Sequence, residues 1–469
     1  MADHRIERDS LGDVRVPASA YYGAQTQRAV ENYPISGVRP PWPFVVAMAQ
    51  IKKAAALANR DVGSLEPRIA EAIVAAANRV LAGEFADQFV VDVYNSGAGT
   101  SFHMNVNEVL ANVAIESLGG TRGDYSLVHP NDHVNCGQST NDVIPTATRV
   151  AALSMLADLV GALPGLAGAF RSRAAAFDGI VKAGRTHLQD AVPVRLGQEL
   201  RAYAVAIEKS AASVSRAGEG CAELGIGGSA IGTGLNTHPD YAEKTVANLA
   251  QQTGLSLRPA PDRFEAMQSQ APVVELSGAL RRLAIELIRI ANDLRLLSSG
   301  PTTGLAEIRL PAVQPGSSIM PGKVNPSIPE MVNMVGFGVL GNDLTIASAA
   351  QAGQLELNVM MPVIAYKLLD SLLILTNAVN VFRERCVEGI EADAERCDAY
   401  VERTMGLATA LNPTIGYLAA AQVAKESLAT GRPLRDVVLE KGLLSADELD
   451  RILDPRAMTE PRARADRDG

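Results

Sequence analysis

The stretch "VELSGALRRLAIELIRIANDLRLLSSGP", Val274 to Pro301, carries the clearest structural pattern in this sequence of 469 residues. Its apolar residues recur at alternating spacings of four and three, at Leu276, Leu280, Leu283, Leu287, Ile290, Leu294 and Leu297. Such a repeat, sustained over about three heptads, predicts a long helix packed at a shallow angle against neighbouring helices. Gly300 and Pro301 then end the helix. The stretch therefore predicts a helical bundle.

Four other segments have comparable patterns and predict the remaining bundle helices, at 146–176, 196–224, 329–350 and 354–385. Pro362 is expected to kink the last of them. Several of these segments carry apolar residues on more than one face, as in "LLDSLLILTNAVNVF" at 368–382. A bundle made of one chain does not need to bury that much apolar surface, so the sequence predicts an oligomer.

Composition agrees with a helical protein and narrows the classes of partner. Apolar residues make up 47% of the chain but aromatic residues only 4%, so Ala, Leu and Val provide the packing. A formal net charge of −9 argues against nucleic acid or an anionic membrane as the main partner. The opening residues are charged and no secretory signal pattern follows, so we expect a soluble cytoplasmic protein. Four cysteines lie far apart without a C-x-x-C pair, which favours reduced thiols over disulfides or a zinc site.

Loops rich in Gly, Ser, Thr and Asn separate the helical segments. They are "NSGAGTSFHMN" (95–105), "HVNCGQSTNDVIP" (133–145), "KAGRTHLQDAVP" (182–193), "GIGGSAIGTGLNT" (225–237) and "PGSSIMPGKVNP" (315–326). Hydroxyls, amides and backbone N–H groups next to a cation or imidazole can bind carboxylates, although such clusters taken singly are more typical of helix caps and turns. In the last loop, paired serines between a glycine and "IMPGK" favour a mobile loop that forms an anion nest.

The last loop contains "GSSIMPGKVNP", which resembles the signature of the aspartase/fumarase superfamily. Other motifs of that family follow in its order and spacing and cover essentially the whole chain: "GAGTSFHMNVNEVLAN", "HPNDHVNCGQSTNDVIPTA", "GRTHLQDAVPVRLGQE", "GTGLNT" and "IANDLRLLSSGP". The resemblance implies a mainly α-helical protomer of three domains, whose long central bundle forms the core of a homotetramer. We assign the domains to 1–140, 141–395 and 396–469, with "PRARADRDG" at the end as a disordered tail.

The resemblance also implies the chemistry. Members eliminate an amine or a hydroxyl from a succinyl skeleton to give a fumaryl product, without metal or organic cofactor, at active sites built from three subunits. Ser317 is the implied base, which removes a proton from the carbon bearing no leaving group, and His187 orients a substrate carboxylate. The implied substrate-binding residues are Thr100, Ser139, Thr140, Asn141, Thr186, Ser318, Lys323 and Asn325. His129 and His133 resemble a secondary anion pocket.

Small features favour an aspartate ammonia-lyase over a class II fumarase. Thr140 stands where fumarases usually have a second serine, Leu188 and Val192 stand where they usually have threonines, and "AGQLELNVM" matches aspartases. The substrate is then L-aspartate, and the products are fumarate and ammonia. A fumarase acting on L-malate and a lyase for a substituted aspartate remain alternatives.

Three residues depart from the family pattern. His103 stands where Asn is usual, Thr302 replaces an Arg, and Met361 replaces an acidic residue. These replacements bear on the identity of the amine substrate more than on the type of reaction. A structural protein that keeps the fold without activity, as lens crystallins do, is a further alternative. The residues that argue against it are Ser317, His187, Lys323 and Asn325.

Overall fold

A computed structural model describes residues 4–461 of the chain. Apart from Pro461, the predicted disordered tail lies outside the described residues. The mainly helical fold is confirmed. The helices are α1 Ala24–Asn32, α2 Trp42–Asp61, α3 Pro67–Leu81, α4 Thr100–Ser117, α5 Thr140–Ala176, α6 Leu196–Gly218, α7 Tyr241–Thr253, α8 Arg263–Gln268, α9 Ala271–Leu297, α10 Ser327–Ala350, α11 Met361–Arg385, α12 Ala394–Val401, α13 Asn412–Ile415, α14 Tyr417–Thr430, α15 Leu434–Glu440 and α16 Ala446–Ile452.

The described strands form small two-stranded sheets. Three pairs are antiparallel and one is parallel. The antiparallel pairs are β1 His4–Asp9 with β2 Gly12–Pro17, β3 Val181–Thr186 with β4 Gln189–Arg195, and β7 Ile308–Arg309 with β8 Glu391–Ala392; β5 Glu223–Leu224 and β6 Arg258–Pro259 run parallel. The longest of these sheets, β3 with β4, carries one of the predicted site loops at its turn.

The described chain divides into two compact units, each made of three segments. Unit 1 contains the described residues of Met1–Gly161, with Ser210–Ala284 and Val335–Asn377. Unit 2 contains Ala162–Lys209, Ile285–Met334 and the described residues of Ala378–Gly469. Each of the five longest helices contributes residues to both units. The division into three domains stays a prediction.

The heptad pattern of α9 was predicted correctly. Its seven seam residues, Leu276 to Leu297, are all buried, and none is more than 7% exposed. Polar contacts join α9 to neighbouring helices in each unit. In unit 1 the hydroxyl of Ser277 donates to Asp343 Oδ1 on α10 at 2.7 Å, and in unit 2 Asn333 on α10 donates to Asn292 Oδ1 at 2.7 Å. These polar pairs fix which residues of α9 and α10 face each other, whereas the apolar seam supplies most of the favourable burial.

Several predicted helix boundaries were wrong. The helix predicted at 146–176 begins at Thr140, and the one predicted at 196–224 ends at Gly218. The helix predicted at 354–385 begins at Met361, so Pro362 occupies its second position, where the missing N–H breaks no helical hydrogen bond. Pro362 therefore does not kink it.

Two helices, α5 and α11, are long and apolar enough to cross a membrane by length and composition alone. Half of the most apolar window of each is buried inside the chain. The core helices of soluble proteins have the same properties, so this finding is weak evidence for a membrane span.

A buried carboxylate on α4 holds the start of α1. Glu108 Oε2 accepts hydrogen bonds from Gly23 N at 2.8 Å and from Thr26 Oγ1 at 2.5 Å, and Oε1 accepts from Gln25 N at 2.9 Å. The first N–H groups of a helix have no partner within the helix. Glu108 therefore supplies acceptors that the N-cap residue, Gly23, cannot offer.

We predict that Glu108→Gln lowers the free energy of unfolding by about 1–3 kcal/mol, because the new amide NH₂ faces N–H donors. The measurement is chemical denaturation at about pH 8, where the carboxylate is ionised, because burial raises the pKa of Glu108 to about 7. Glu31→Gln, on the exposed side of α1, is the control and should change stability by less than about 0.5 kcal/mol. Equal stability of the two variants would contradict the capping role of Glu108.

Candidate active site

The first group of predicted site residues lies where α4 and α5 begin, in unit 1. Gly97, Ala98 and Gly99 all have positive φ, and this left-handed turn directs the chain into α4 at Thr100. A Cβ atom at Gly99 would lie 3.1 Å from the side chain of Ile144, so glycine suits both the turn and the close packing. The Thr100 side chain is left exposed at the first position of the helix.

Thr140 is the first residue of α5, and its hydroxyl contacts α4. Its Oγ1 lies 3.0 Å from Oγ1 of Thr100 and 2.8 Å from Nδ1 of His103. Ser139 Oγ accepts a hydrogen bond from Asn141 N, and Asn141 Nδ2 donates to the carbonyl oxygen of Ala230 at 2.8 Å. The structure therefore brings together the four predicted residues of this group, which we call the unit 1 cradle: Thr100, Ser139, Thr140 and Asn141.

Asp142 joins the cradle to the glycine-rich loop at 225–237. Its Oδ1 accepts from Ser139 N at 2.9 Å, and its Oδ2 accepts from Gly227 N at 3.0 Å and Ser229 N at 2.9 Å. The carboxyl is fully buried. Burial raises the pKa of Asp142 to about 7, whereas the three N–H donors and nearby Lys52 act in the opposite direction. Asp142 was not predicted from the sequence as a site residue.

A second residue missed in the sequence is Lys52 on α2. Its Nζ lies 2.6 Å from Nε2 of His103 and donates to the side-chain oxygens of Asn135 and Gln138 at 2.9 and 2.8 Å. Lys52 is 0% exposed. A signal was present in the sequence, because Met48, Lys52, Ala55 and Asn59 share one face of a helix and the face is otherwise apolar or amide. A lysine on such a face needs buried partners.

Thr186 and His187 lie at the turn between β3 and β4, in unit 2. Thr186 pairs with Gln189, so His187 and Leu188 form a two-residue turn, and both have positive φ. This is the backbone of a type I′ hairpin. The side chains of Thr186 and His187 are exposed at its tip.

Buried ion pairs anchor the base of this hairpin. Lys182 contacts Glu199 at 3.0 Å and Glu307 at 3.2 Å, and Arg185 contacts Glu307 at 2.8 Å. Glu307 is 0% exposed. The two cations offset the cost of burying its charge, and the strands below His187 are thereby held in place.

The loop with Ser317 is also in unit 2 and closes on itself. Gly316 N donates to the carbonyl oxygen of Lys323 at 2.7 Å, and Asn325 Nδ2 donates to that of Gly316 at 2.8 Å. A Cβ at position 316 would lie 2.6 Å from the Lys323 oxygen, so this closure requires glycine. Ser318 and Lys323 are exposed on the loop.

Backbone N–H groups converge on the Ser317 hydroxyl. Ser317 Oγ accepts hydrogen bonds from Ile319 N at 3.2 Å and from Met320 N at 2.9 Å. Such donors stabilise negative charge on the oxygen that they contact. The arrangement can therefore favour the deprotonated form of this serine.

His129 and His133 contact backbone groups close to them in the chain. His129 Nδ1 accepts from the backbone N–H of Asn131 and Asp132, and His133 Nδ1 accepts from the N–H of His129. His129 therefore caps the short helical turn Pro130–Val134, and His133 lies within that turn. Among the described residues of unit 2, no hydrogen bond joins Thr186 or His187 to the Ser317 loop.

Two family models and several known proteins match this chain. The model of the family described as "Lyase" matches residues 12–341, and that described as "Fumarase C C-terminus" matches residues 407–460. An aspartate ammonia-lyase of Bacillus subtilis is 47% identical over 98% of this chain and 97% of its own length. A class II fumarate hydratase of Halobacterium salinarum is 53% identical over 97% of each chain. A crystal structure named as fumarate lyase:delta crystallin from Brucella melitensis, bound to cobalt, has a TM-score of 0.94 and 49% identity, and covers 98% of this chain and 100% of its own.

We predict that Asp142→Asn lowers the free energy of unfolding by about 1–3 kcal/mol, because one amide cannot accept all three N–H donors. Measurement at about pH 8 keeps the wild-type carboxylate ionised. Exposed Asp132→Asn is the matched control, with an expected change of less than about 0.5 kcal/mol. An unchanged unfolding midpoint in the first variant would show that Asp142 does not hold the two loops.

Proposed function

The chain belongs to the aspartase/fumarase superfamily of lyases, and on that premise we propose that it converts L-aspartate reversibly to fumarate and ammonia. The observation that carries the proposed reaction is the pair of N–H donors on Ser317 Oγ. The relatives do not select the substrate by themselves, because an aspartate ammonia-lyase at 47% and a fumarate hydratase at 53% identity both align with the whole chain. Thr140, Leu188 and Val192 favour the amine substrate.

In the proposed mechanism, Ser317 acts as the base. Its alkoxide takes a proton from the carbon next to the one that bears the amine. The electron pair moves into the adjacent carboxylate and forms an aci-carboxylate dianion. When this dianion collapses, the C–C double bond forms and the C–N bond breaks, so the substrate's ammonium group leaves as ammonia. The Ile319 and Met320 N–H groups make the alkoxide accessible by stabilising its charge.

The substrate is a small dicarboxylate that gains negative charge during the reaction, while the chain itself has a net charge of −9. Binding therefore requires local donors and cations. We assign this role to the unit 1 cradle, to exposed Lys323, and to His187 as the residue that orients a carboxylate. The other proposed binding residues are Thr186, Ser318 and Asn325. The proposal includes no metal and no organic cofactor.

We also propose a homotetramer, with each active site built from residues of three subunits. The support is an apolar stripe on α10, where Met334, Phe337 and Leu344 are 58%, 58% and 69% exposed. These residues are spaced by three and seven along the helix, so they share one face. Helix surfaces of this kind are normally covered in a native protein.

We also propose that the enzyme is located in the cytoplasm.

We predict that the purified protein forms fumarate from L-aspartate, and does so with a higher kcat/KM than from L-malate. The paired assay follows fumarate absorbance with each substrate in turn. A preference for L-malate would favour the fumarase alternative. Activity with neither substrate would overturn both assignments and leave a substituted aspartate or an inactive structural protein.

We predict that Ser317→Ala lowers kcat by at least about 1000-fold, because the essential base is lost. Folding should not change, since Ser317 lies in a loop outside the core. Ser64→Ala, at an exposed loop serine, is the matched control and should keep wild-type activity. If Ser317→Ala keeps more than about a tenth of the activity, another group removes the proton.

A further inference from the structure

The contacts of Lys52 form a chain that leads from a buried cation to the unit 1 cradle. Lys52 Nζ lies 2.6 Å from His103 Nε2, and His103 Nδ1 lies 2.8 Å from Thr140 Oγ1. Lys52 is 0% and His103 is 1% exposed, so water does not replace these contacts. The proposed mechanism does not use either residue.

In its other two contacts, Lys52 is the donor and an amide oxygen is the acceptor. Asn135 Nδ2 donates to the carbonyl oxygen of Gln138, and Gln138 Nε2 donates to those of Val134 and Cys136. Because the amide nitrogens are occupied in this way, the amide oxygens face Lys52. They can only accept hydrogen bonds from it.

The protonation state of Lys52 therefore decides what His103 does. A charged Lys52 has three N–H donors, two for the amide oxygens and one for His103 Nε2. The imidazole proton then lies on Nδ1 and is donated to Thr140. A neutral Lys52 keeps two N–H donors for the amides and turns its lone pair to Nε2, which must then carry the imidazole proton. His103 Nδ1 becomes an acceptor in this second state.

The hydroxyl of Thr140 exchanges its donor and acceptor roles when His103 does. In the neutral state Thr140 donates its only proton to His103 Nδ1. In the charged state it receives a hydrogen bond from His103, and its own proton is free for another acceptor. Thr100 Oγ1 lies 3.0 Å from Thr140 Oγ1 and 2.6 Å from the carbonyl oxygen of Gly97, and we assign its single proton to the nearer carbonyl acceptor. Thr140 can therefore donate a hydrogen bond to a carboxylate at the cradle only when Lys52 is charged.

We propose that Lys52 and His103 are positioning residues that make Thr140 a donor to the substrate, and that the pair takes up a proton from solvent when a dicarboxylate binds. The inference rests on the proposed function, since it places a substrate carboxylate at Thr140. An asparagine amide at position 103 could not exchange donor and acceptor in this way by moving one proton. The coupling thus belongs to the histidine of this chain.

The charges around the pair are consistent with a readily removed proton. Burial lowers the pKa of Lys52 well below its ordinary value, and the Asp142 carboxylate raises it again in part. Burial and the charge of Lys52 both lower the pKa of His103, so the imidazole stays neutral. Tyr241, on α7, faces the same region, and burial raises the pKa of its hydroxyl, so it stays neutral as well. Asp142, which contacts Ser139 N at the cradle, is a second group in this region able to take up a proton, since burial raises its pKa to about 7.

The test is calorimetric titration of the full-length protein with succinate, an unreactive dicarboxylate, at one near-neutral pH in phosphate and in Tris buffer. The two buffers differ in their ionisation enthalpy, so the difference in binding enthalpy gives the number of protons taken up. We expect uptake of up to about one proton per site in the wild-type protein. Lys52→Met and His103→Asn should abolish most of this uptake, and Lys53→Met, at the adjacent half-buried lysine, should retain it.

Several results would overturn the inference. Wild-type binding that does not depend on the buffer would do so, and so would uptake that persists in Lys52→Met, which would assign the proton to another group such as Asp142 or Glu108. Failure of the wild-type protein to bind succinate would remove the carboxylate from Thr140. A failed lyase assay is distinguishable from these results, because the calorimetry measures binding without turnover.

Discussion

Burial of the α9 seam is the constraint on which the rest of the structure depends. The seam residues from Leu276 to Leu297 are closed to solvent over the length of the helix. Each buried leucine side chain contributes about 1.5–3 kcal/mol relative to full exposure, so the seam is a large favourable term. The contacts of Ser277 and Asn292 with α10 then fix the pairing of the two helices. When the long helices are packed in this way, the positions of their first residues are determined as well.

The predicted site residues cluster where helices begin. Thr100 and Thr140 are the first residues of α4 and α5, and the loop of Ser317 ends directly before α10. A helix N-terminus presents free N–H groups and a partial positive charge of roughly half an electron. An acidic chain can in this way offer favourable positions to a dicarboxylate without a large excess of lysine and arginine. His187 differs, because a hairpin and not a helix presents it.

Long periodic patterns were predictable from the sequence, and buried polar contacts were not. The α9 seam could be read directly, because every third or fourth residue is leucine or isoleucine. The start of α5 was placed after Pro145, yet the helix begins at Thr140 and accommodates the proline in its second turn. Lys52 and Lys53 are neighbours of the same type, and although the apolar face of α2 indicates that Lys52 is buried, only the structure shows which groups it contacts. The roles of Ser317, His187 and the cradle residues follow from motifs and stay predictions.

We propose that the unit 1 cradle of one subunit and the Ser317 loop of another bind the same dicarboxylate. A crystal structure of the assembled protein with succinate would test this proposal. We expect one carboxylate within hydrogen-bond distance of Thr100, Thr140 or Asn141 of one subunit, with the succinate methylene carbons facing a Ser317 hydroxyl of another. Succinate bound away from the cradle, or with Ser317 remote from both methylene carbons in a closed loop, would contradict it.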